Sequence, residues 1–142
     1  AWPDGYVGSI THCAGFCAAV AARSDTVRSL GLDAETVPPL GSELAAMVCT
    51  SAERSAFAHL PSPATSDWPK LAFCAKEAFY KCVDPVWRNF LDFLDVRVAF
   101  RIDPSRDQGR FSVTLRGPAA PVIGRWAVDG ERVYAGATWP QG

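Results

Sequence analysis

Between Lys70 and Asp84 the polar positions return at helical intervals within an otherwise apolar run. At about 100° per residue, Lys70, Cys74, Glu77, Lys81 and Asp84 fall within one narrow stripe, while Phe73, Ala75, Ala78, Phe79, Tyr80, Cys82 and Val83 cover most of the remaining surface. This pattern predicts a largely buried helix. Asp67 stands where a cap is needed, and Pro85 disfavours helix at the residue before it, so the helix is expected to end near Asp84 after about four to five turns.

Upstream, small and β-branched residues dominate from Ser9 to Arg23, interrupted by Gly15, and TVRSLGLDAE (26–35) follows the polar Arg23-Ser24-Asp25. Two antiparallel strands joined by a turn are expected. The prolines of TVPPLGSEL (36–44) read as a loop. Thr50-Ser51-Ala52-Glu53 has capping-box spacing ahead of a short helix ending near Leu60, with His59 on its surface, and PSPATSDWP (61–69) reads as a second loop. Downstream, LDVRVAFRI (94–102) and GRFSVTLR (109–116) alternate, and VIGRWAVDGERVYAGATW (122–139) turns at Asp129-Gly130, a type I′ hairpin signal. An antiparallel meander of three strands after the helices follows from this pattern. Strands, helices and strands in segregated runs predict an α+β fold, an antiparallel sheet with one long packed helix.

A chain of 142 residues, 49% hydrophobic and carrying five Trp and eight Phe, suffices for one compact domain and is too rich in large apolar side chains for a disordered one. The formal charge of −1 gives no electrostatic reason to expect nucleic acid or a membrane surface as partner. The five cysteines are odd in number, lack C-x-x-C spacing and sit among small apolar residues, which favours a reducing cytoplasm. Cys13 and Cys17 with His12 nearby make a poor zinc set, and core packing is the preferred reading of both thiols. No signal-peptide pattern opens the chain and CAGFCAAVAA (13–22) is too short to span a bilayer, so a soluble protein is expected. AWPDGYVGS (1–9) begins abruptly and reads like the middle of something longer.

Asp33 and Glu35 are two apart, so on a strand both carboxylates project from the same face. Like charges so placed repel, and a divalent cation between them removes the penalty. Glu77 from the long helix would supply a third hard oxygen donor, a set that suits Mg²⁺ or Mn²⁺ better than zinc. Lys76 and Lys81 beside it would then meet phosphate oxygens. Two plainer readings stand next to this one. Glu77 and Lys81 form an i,i+4 pair of the kind that decorates solvated faces, and Asp-x-Glu on a strand is commonly exposed polarity. Spacing does not by itself bring strand and helix together.

GLDAE (Gly31 to Glu35), followed some forty residues later by FCAKEAFYK (Phe73 to Lys81), resembles the paired signature of the phosphopantetheinyl transferases, roughly G-[IVL]-D-x-E and F-[SCA]-x-K-E-[AS]-x-x-K. WPDGYVGSITHC (2–13) is similar to the W-P-x-G and G-S-x-[ST]-H segment of the two-lobed members, especially the enterobactin-synthetase branch, which serve siderophore, polyketide and nonribosomal-peptide assembly lines. The resemblance extends over most of the chain. It implies Mg²⁺-dependent transfer of phosphopantetheine from coenzyme A to a serine of an apo acyl or peptidyl carrier protein, releasing adenosine 3′,5′-bisphosphate. It also implies roles: Asp33, Glu35 and Glu77 around the metal, Glu77 as base for the serine, Lys81 on the pyrophosphate, Lys76 on coenzyme A phosphate, and His12 with Thr11 at a cofactor phosphate.

The same resemblance divides the chain into the end of a first lobe with its linker strand (1–30) and a second, metal-binding lobe (31–142). Most of the first lobe would then be missing, and with it the basic residues that grip the nucleotide. Carrier recognition is expected between Glu43 and Pro69, with Arg54, Lys70 and Arg88 as contacts for an acidic partner and Trp87 and Phe90 as core. Two rivals remain: a module that binds metal and carrier without turnover, and a structural domain whose charged residues only form surface pairs.

Overall fold

The computed structural model describes residues 2–87, 92–115 and 120–141. A hairpin of β1 (Tyr6–Cys13) and β2 (Phe16–Arg23) leads into β3 (Val27–Thr36). Three helices follow among the described residues, α1 (Ser42–Val48), α2 (Ser51–Phe57) and α3 (Trp68–Trp87), then a single 3-10 turn over Phe93–Asp95. Four strands complete the chain, β4 (Val96–Ile102), β5 (Gln108–Leu115), β6 (Val122–Val128) and β7 (Arg132–Pro140). β3 pairs antiparallel with β7 in a five-stranded sheet of order β3-β7-β6-β5-β4, and among the described residues β1 pairs only with β2. The fold is α+β, with α3 packed on the sheet as the long helix.

Alternation along β4 to β7 turns Val96, Val98, Phe100, Phe111, Val113, Trp126, Val133 and Ala135 toward α3, which returns Leu71, Ala75, Ala78, Phe79 and Cys82. Burying each Leu, Val or Phe side chain there contributes roughly 1.5–3 kcal/mol. Trp68 opens α3 between Phe57 and Phe100, its ring centroid 4.8 Å from that of Phe100, and its indole N–H donates to the Pro61 carbonyl at 3.2 Å. Asp67 caps α3 by accepting the Lys70 amide at 3.0 Å. Thr50 and Glu53 form the expected capping box at α2, and His59 is exposed just beyond it.

Several expectations are corrected. Ser9 to Arg23 is a hairpin and not one strand, because Gly15 takes a left-handed φ of +71° at the turn, and β3 leaves that hairpin to pair with β7. Part of the predicted first loop is α1. Its apolar run Leu44 to Val48 shows no helical period because Leu44 and Met47 stay 53% and 62% exposed and only Val48 is buried. α3 continues past Pro85 to Trp87. The proline removes one late bond to the Lys81 carbonyl, and the Trp87 ring packing edge-on against Trp139 at 5.5 Å offsets that loss. The meander has four strands, not three. Its last hairpin lies where expected but is not type I′: neither Gly130 nor Glu131 has positive φ, and the Asp129 carboxylate instead accepts the Glu131 and Arg132 amides at 2.8 Å each. Cys17 is exposed and Cys13 half-buried, so those two thiols are not core. Arg88 and Phe90 lie outside the described residues.

Candidate functional site

Gly31, Asp33 and Glu35 share the face of β3 that meets α3. A Cβ at Gly31 would lie 1.8 Å from the Ala78 carbonyl oxygen, so only glycine lets helix and strand approach this closely. That approach sets the polar stripe of α3 against the two strand carboxylates. Lys81 Nζ donates to Asp33 Oδ1 at 3.1 Å, to the Leu32 carbonyl at 3.0 Å and to the Ile10 carbonyl at 3.4 Å. Cys74, fully buried, points its thiol at the Asp33 carbonyl at 3.4 Å, and burial keeps that thiol protonated.

Asp33 is 4% exposed, and its second oxygen, Oδ2, is one of two buried side-chain polar atoms without a hydrogen-bond partner among the described residues. A buried carboxylate oxygen left open is costly unless something cationic meets it. Glu35 lies beside it: burial, contact with the Asp33 carboxylate and that carboxylate's charge push the Glu35 carboxyl up to about 7, with Lys70 opposing and Glu77 adding to the rise. Burial first, then the Asp33 charge, also raises Glu77, while Lys81 lowers it. The three carboxyls are thus close enough to resist sharing negative charge. Among the described residues no group of three or more His, Cys, Asp or Glu side chains is placed so that it could hold a metal ion as it stands. The donor chemistry fits a hard divalent cation: all oxygen, one donor open and buried, two more raised by burial and by the neighbouring Asp33 charge.

The remaining sequence-derived candidates divide. Lys76 does not face the carboxylates. It is fully buried, donates to Glu53 Oε1 at 2.9 Å, the Val48 carbonyl at 2.6 Å and the Phe93 carbonyl at 2.9 Å, and has no donor left for a cofactor phosphate. Glu53 completes this joint by accepting the Val98 amide at 2.8 Å, tying α2, α3 and β4 together. Thr11 is 2% exposed, and its hydroxyl accepts the Ala34 amide at 3.0 Å and lies 3.5 Å from Asp33 Oδ1. His12, next along β1, is exposed on the opposite face across from Cys17, apart from the carboxylates. Lys70, expected at a carrier surface, is only 8% exposed and its charge acts on Glu35; Arg54 is exposed. Ser9 was missed as a member of this region: its hydroxyl accepts the Leu32 amide at 3.0 Å, and its place two residues before Thr11 was the available signal.

Two family models match the chain: one described as the 4'-phosphopantetheinyl transferase superfamily over residues 29–129, the other as the 4'-phosphopantetheinyl transferase N-terminal domain over residues 1–22. The chain is 41% identical over 138 residues to 4'-phosphopantetheinyl transferase PptT of Mycobacterium tuberculosis, a match covering 90% of this chain and 60% of that protein. It is 42% identical over 130 residues to 4'-phosphopantetheinyl transferase Svp of Streptomyces mobaraensis, covering 91% of this chain and 51% of the relative. Enterobactin synthase component D of Salmonella typhi is 39% identical over 84 residues, 56% of this chain and 33% of its own length. The chain therefore spans about half the length of the curated relatives it matches. Among the described helices none is long and apolar enough to cross a membrane. With the superfamily match running through both GLDAE and FCAKEAFYK, the chain belongs to the 4'-phosphopantetheinyl transferase superfamily.

Proposed function

We propose that this chain contributes the metal-binding half of an enzyme that moves phosphopantetheine from coenzyme A to a serine of an apo acyl or peptidyl carrier protein, releasing adenosine 3′,5′-bisphosphate. The observation that carries this reading is Asp33, with one carboxylate oxygen on Lys81 and the other buried and open beside Glu35 and Glu77. Asp33, Glu35 and Glu77 would hold Mg²⁺, or Mn²⁺ in its place. When bound, the ion neutralises charge on the pyrophosphate and its leaving group. Lys81, a third exposed at its side chain, presents a second positive charge to the same phosphates. The half-buried Glu77 carboxyl, raised by burial and by the Asp33 charge, is the carboxylate proposed to take the serine proton. The exposed His12 is assigned to a cofactor phosphate; Thr11 and Lys76, both engaged within the protein, are not.

The likeness to enterobactin synthase component D supports a carrier of siderophore assembly within the wider polyketide and nonribosomal-peptide class. Five free cysteines support a reducing, cytoplasmic setting. A second reading is a module that holds metal and carrier without turnover.

Intact-mass spectrometry of an apo carrier protein incubated with the chain, coenzyme A and Mg²⁺, with an EDTA control, separates the two. A metal-dependent gain of one phosphopantetheinyl group is expected for the enzyme. Carrier binding without that gain selects the module.

A further inference from the structure

We propose that Ser9 and Thr11 are positioning residues for Asp33, acting as a two-hydroxyl clamp on the free edge of β3. This rests on the metal reading given above. β3 ends the five-stranded sheet, so the edge turned away from β7 carries backbone amides that no strand among the described residues answers. Ser9 and Thr11 stand two apart on one face of β1, the same interval as the Leu32 and Ala34 amides on the same edge of β3. The Ser9 hydroxyl accepts the Leu32 amide and the Thr11 hydroxyl accepts the Ala34 amide, each at 3.0 Å, with the two side chains 7% and 2% exposed.

Asp33 lies between the two clamped amides. Its backbone is thereby fixed from both sides, and Lys81 Nζ closes the arrangement by bridging the Ile10 carbonyl of β1, the Leu32 carbonyl of β3 and Asp33 Oδ1. Thr11 Oγ1 lies 3.5 Å from that same Oδ1. The side-chain contacts to Asp33 fall on Oδ1, and none on Oδ2. The clamp thus fixes the backbone from which the Asp33 carboxylate gives one oxygen to Lys81 and leaves the other without a protein partner. A buried hydroxyl that only filled space would not need to match two amides in register.

The test uses the chain with Ser9→Ala, Thr11→Val and Thr11→Ser. Amide hydrogen exchange followed by NMR reads the clamp without metal, and Mn²⁺ affinity at a temperature where each variant is folded reads its consequence. Ser9→Ala should speed exchange at Leu32, and Thr11→Val at Ala34, by about tenfold each, the scale of one hydrogen bond. Both should weaken Mn²⁺ binding about tenfold, while Thr11→Ser, which keeps the hydroxyl, stays within about threefold of the parent. Unchanged exchange at Leu32 and Ala34 overturns the clamp, whatever the metal does. Faster exchange with unaltered Mn²⁺ affinity overturns the positioning role and leaves a purely structural one. Failure of the parent chain to bind Mn²⁺ overturns the metal reading, and with it the positioning role, while the exchange data still decide whether the clamp exists.

Discussion

Glu35 holds its proton longer in the folded chain than in the unfolded one, because burial and the neighbouring Asp33 carboxylate lift it from 4.5 to about 7. The sign follows: where the folded state binds more protons, stability falls as pH rises. This contribution is complete below the unfolded value and lost as pH climbs through the folded value near 7. The metal-free chain should therefore melt at a lower temperature at about pH 8 than at about pH 5, and Glu35→Gln should flatten that difference; equal slopes in both proteins would remove Glu35 from the cluster. Glu77→Gln should abolish phosphopantetheine transfer and leave the thermal melt in place, and retained transfer would end its proposed role. Lys81→Ala should lower turnover about a hundredfold or more; a small effect would reduce it to a helix salt bridge. That Asp33 and Glu35 share one strand face, and Glu77 a helical stripe with Lys81, was legible in the spacing; that the strand face meets the stripe was not. The position of Lys76 was legible too, since one residue turns a helix by about 100° and carries Lys76 off that stripe. The motif drew it into the site and the helical wheel, taken alone, would have kept it out.

At the scale of elements, the same lysine explains how the helices are held. Lys76→Ala would leave Glu53 charged, buried and unpaired between α2, α3 and β4, a loss expected to cost about 3–5 kcal/mol in urea denaturation. Lowered activity at unchanged stability would instead return Lys76 to the phosphate site. Gly31→Ala should cost about 1–3 kcal/mol or more by forcing α3 off β3, and should weaken metal binding together with stability. The long helix, its cap at Asp67 and the alternating strands were readable because each carries a clear period. α1 was not, because its exposed Leu44 and Met47 erase the amphipathic signal. The hairpin at Gly15 was hidden by a stretch so rich in alanine that neither period stands out. Helix continuation through Pro85 depends on Trp87 meeting Trp139, a contact 52 positions away that no local rule contains.

For the whole molecule, the decisive arrangement is long-range. β3 pairs with β7 across nearly the full chain, Asp33 opposite Ala135; the meander β7-β6-β5-β4 was readable from local pattern, and the place of β3 beside β7 was not. What was legible in the sequence was the family signature, GLDAE followed by FCAKEAFYK, within the residues the superfamily match covers. The divalent-cation site proposed for Asp33, Glu35 and Glu77 ties these scales together. The most direct test is calorimetric titration of Mg²⁺ into the metal-free chain and its Asp33→Asn variant, with melting curves at the same concentrations. One ion bound per chain, with about 2.7 kcal/mol of added stability at a hundredfold excess over Kd and none in the variant, is the predicted result. No binding by the parent chain, or equal binding by Asp33→Asn, would contradict the account.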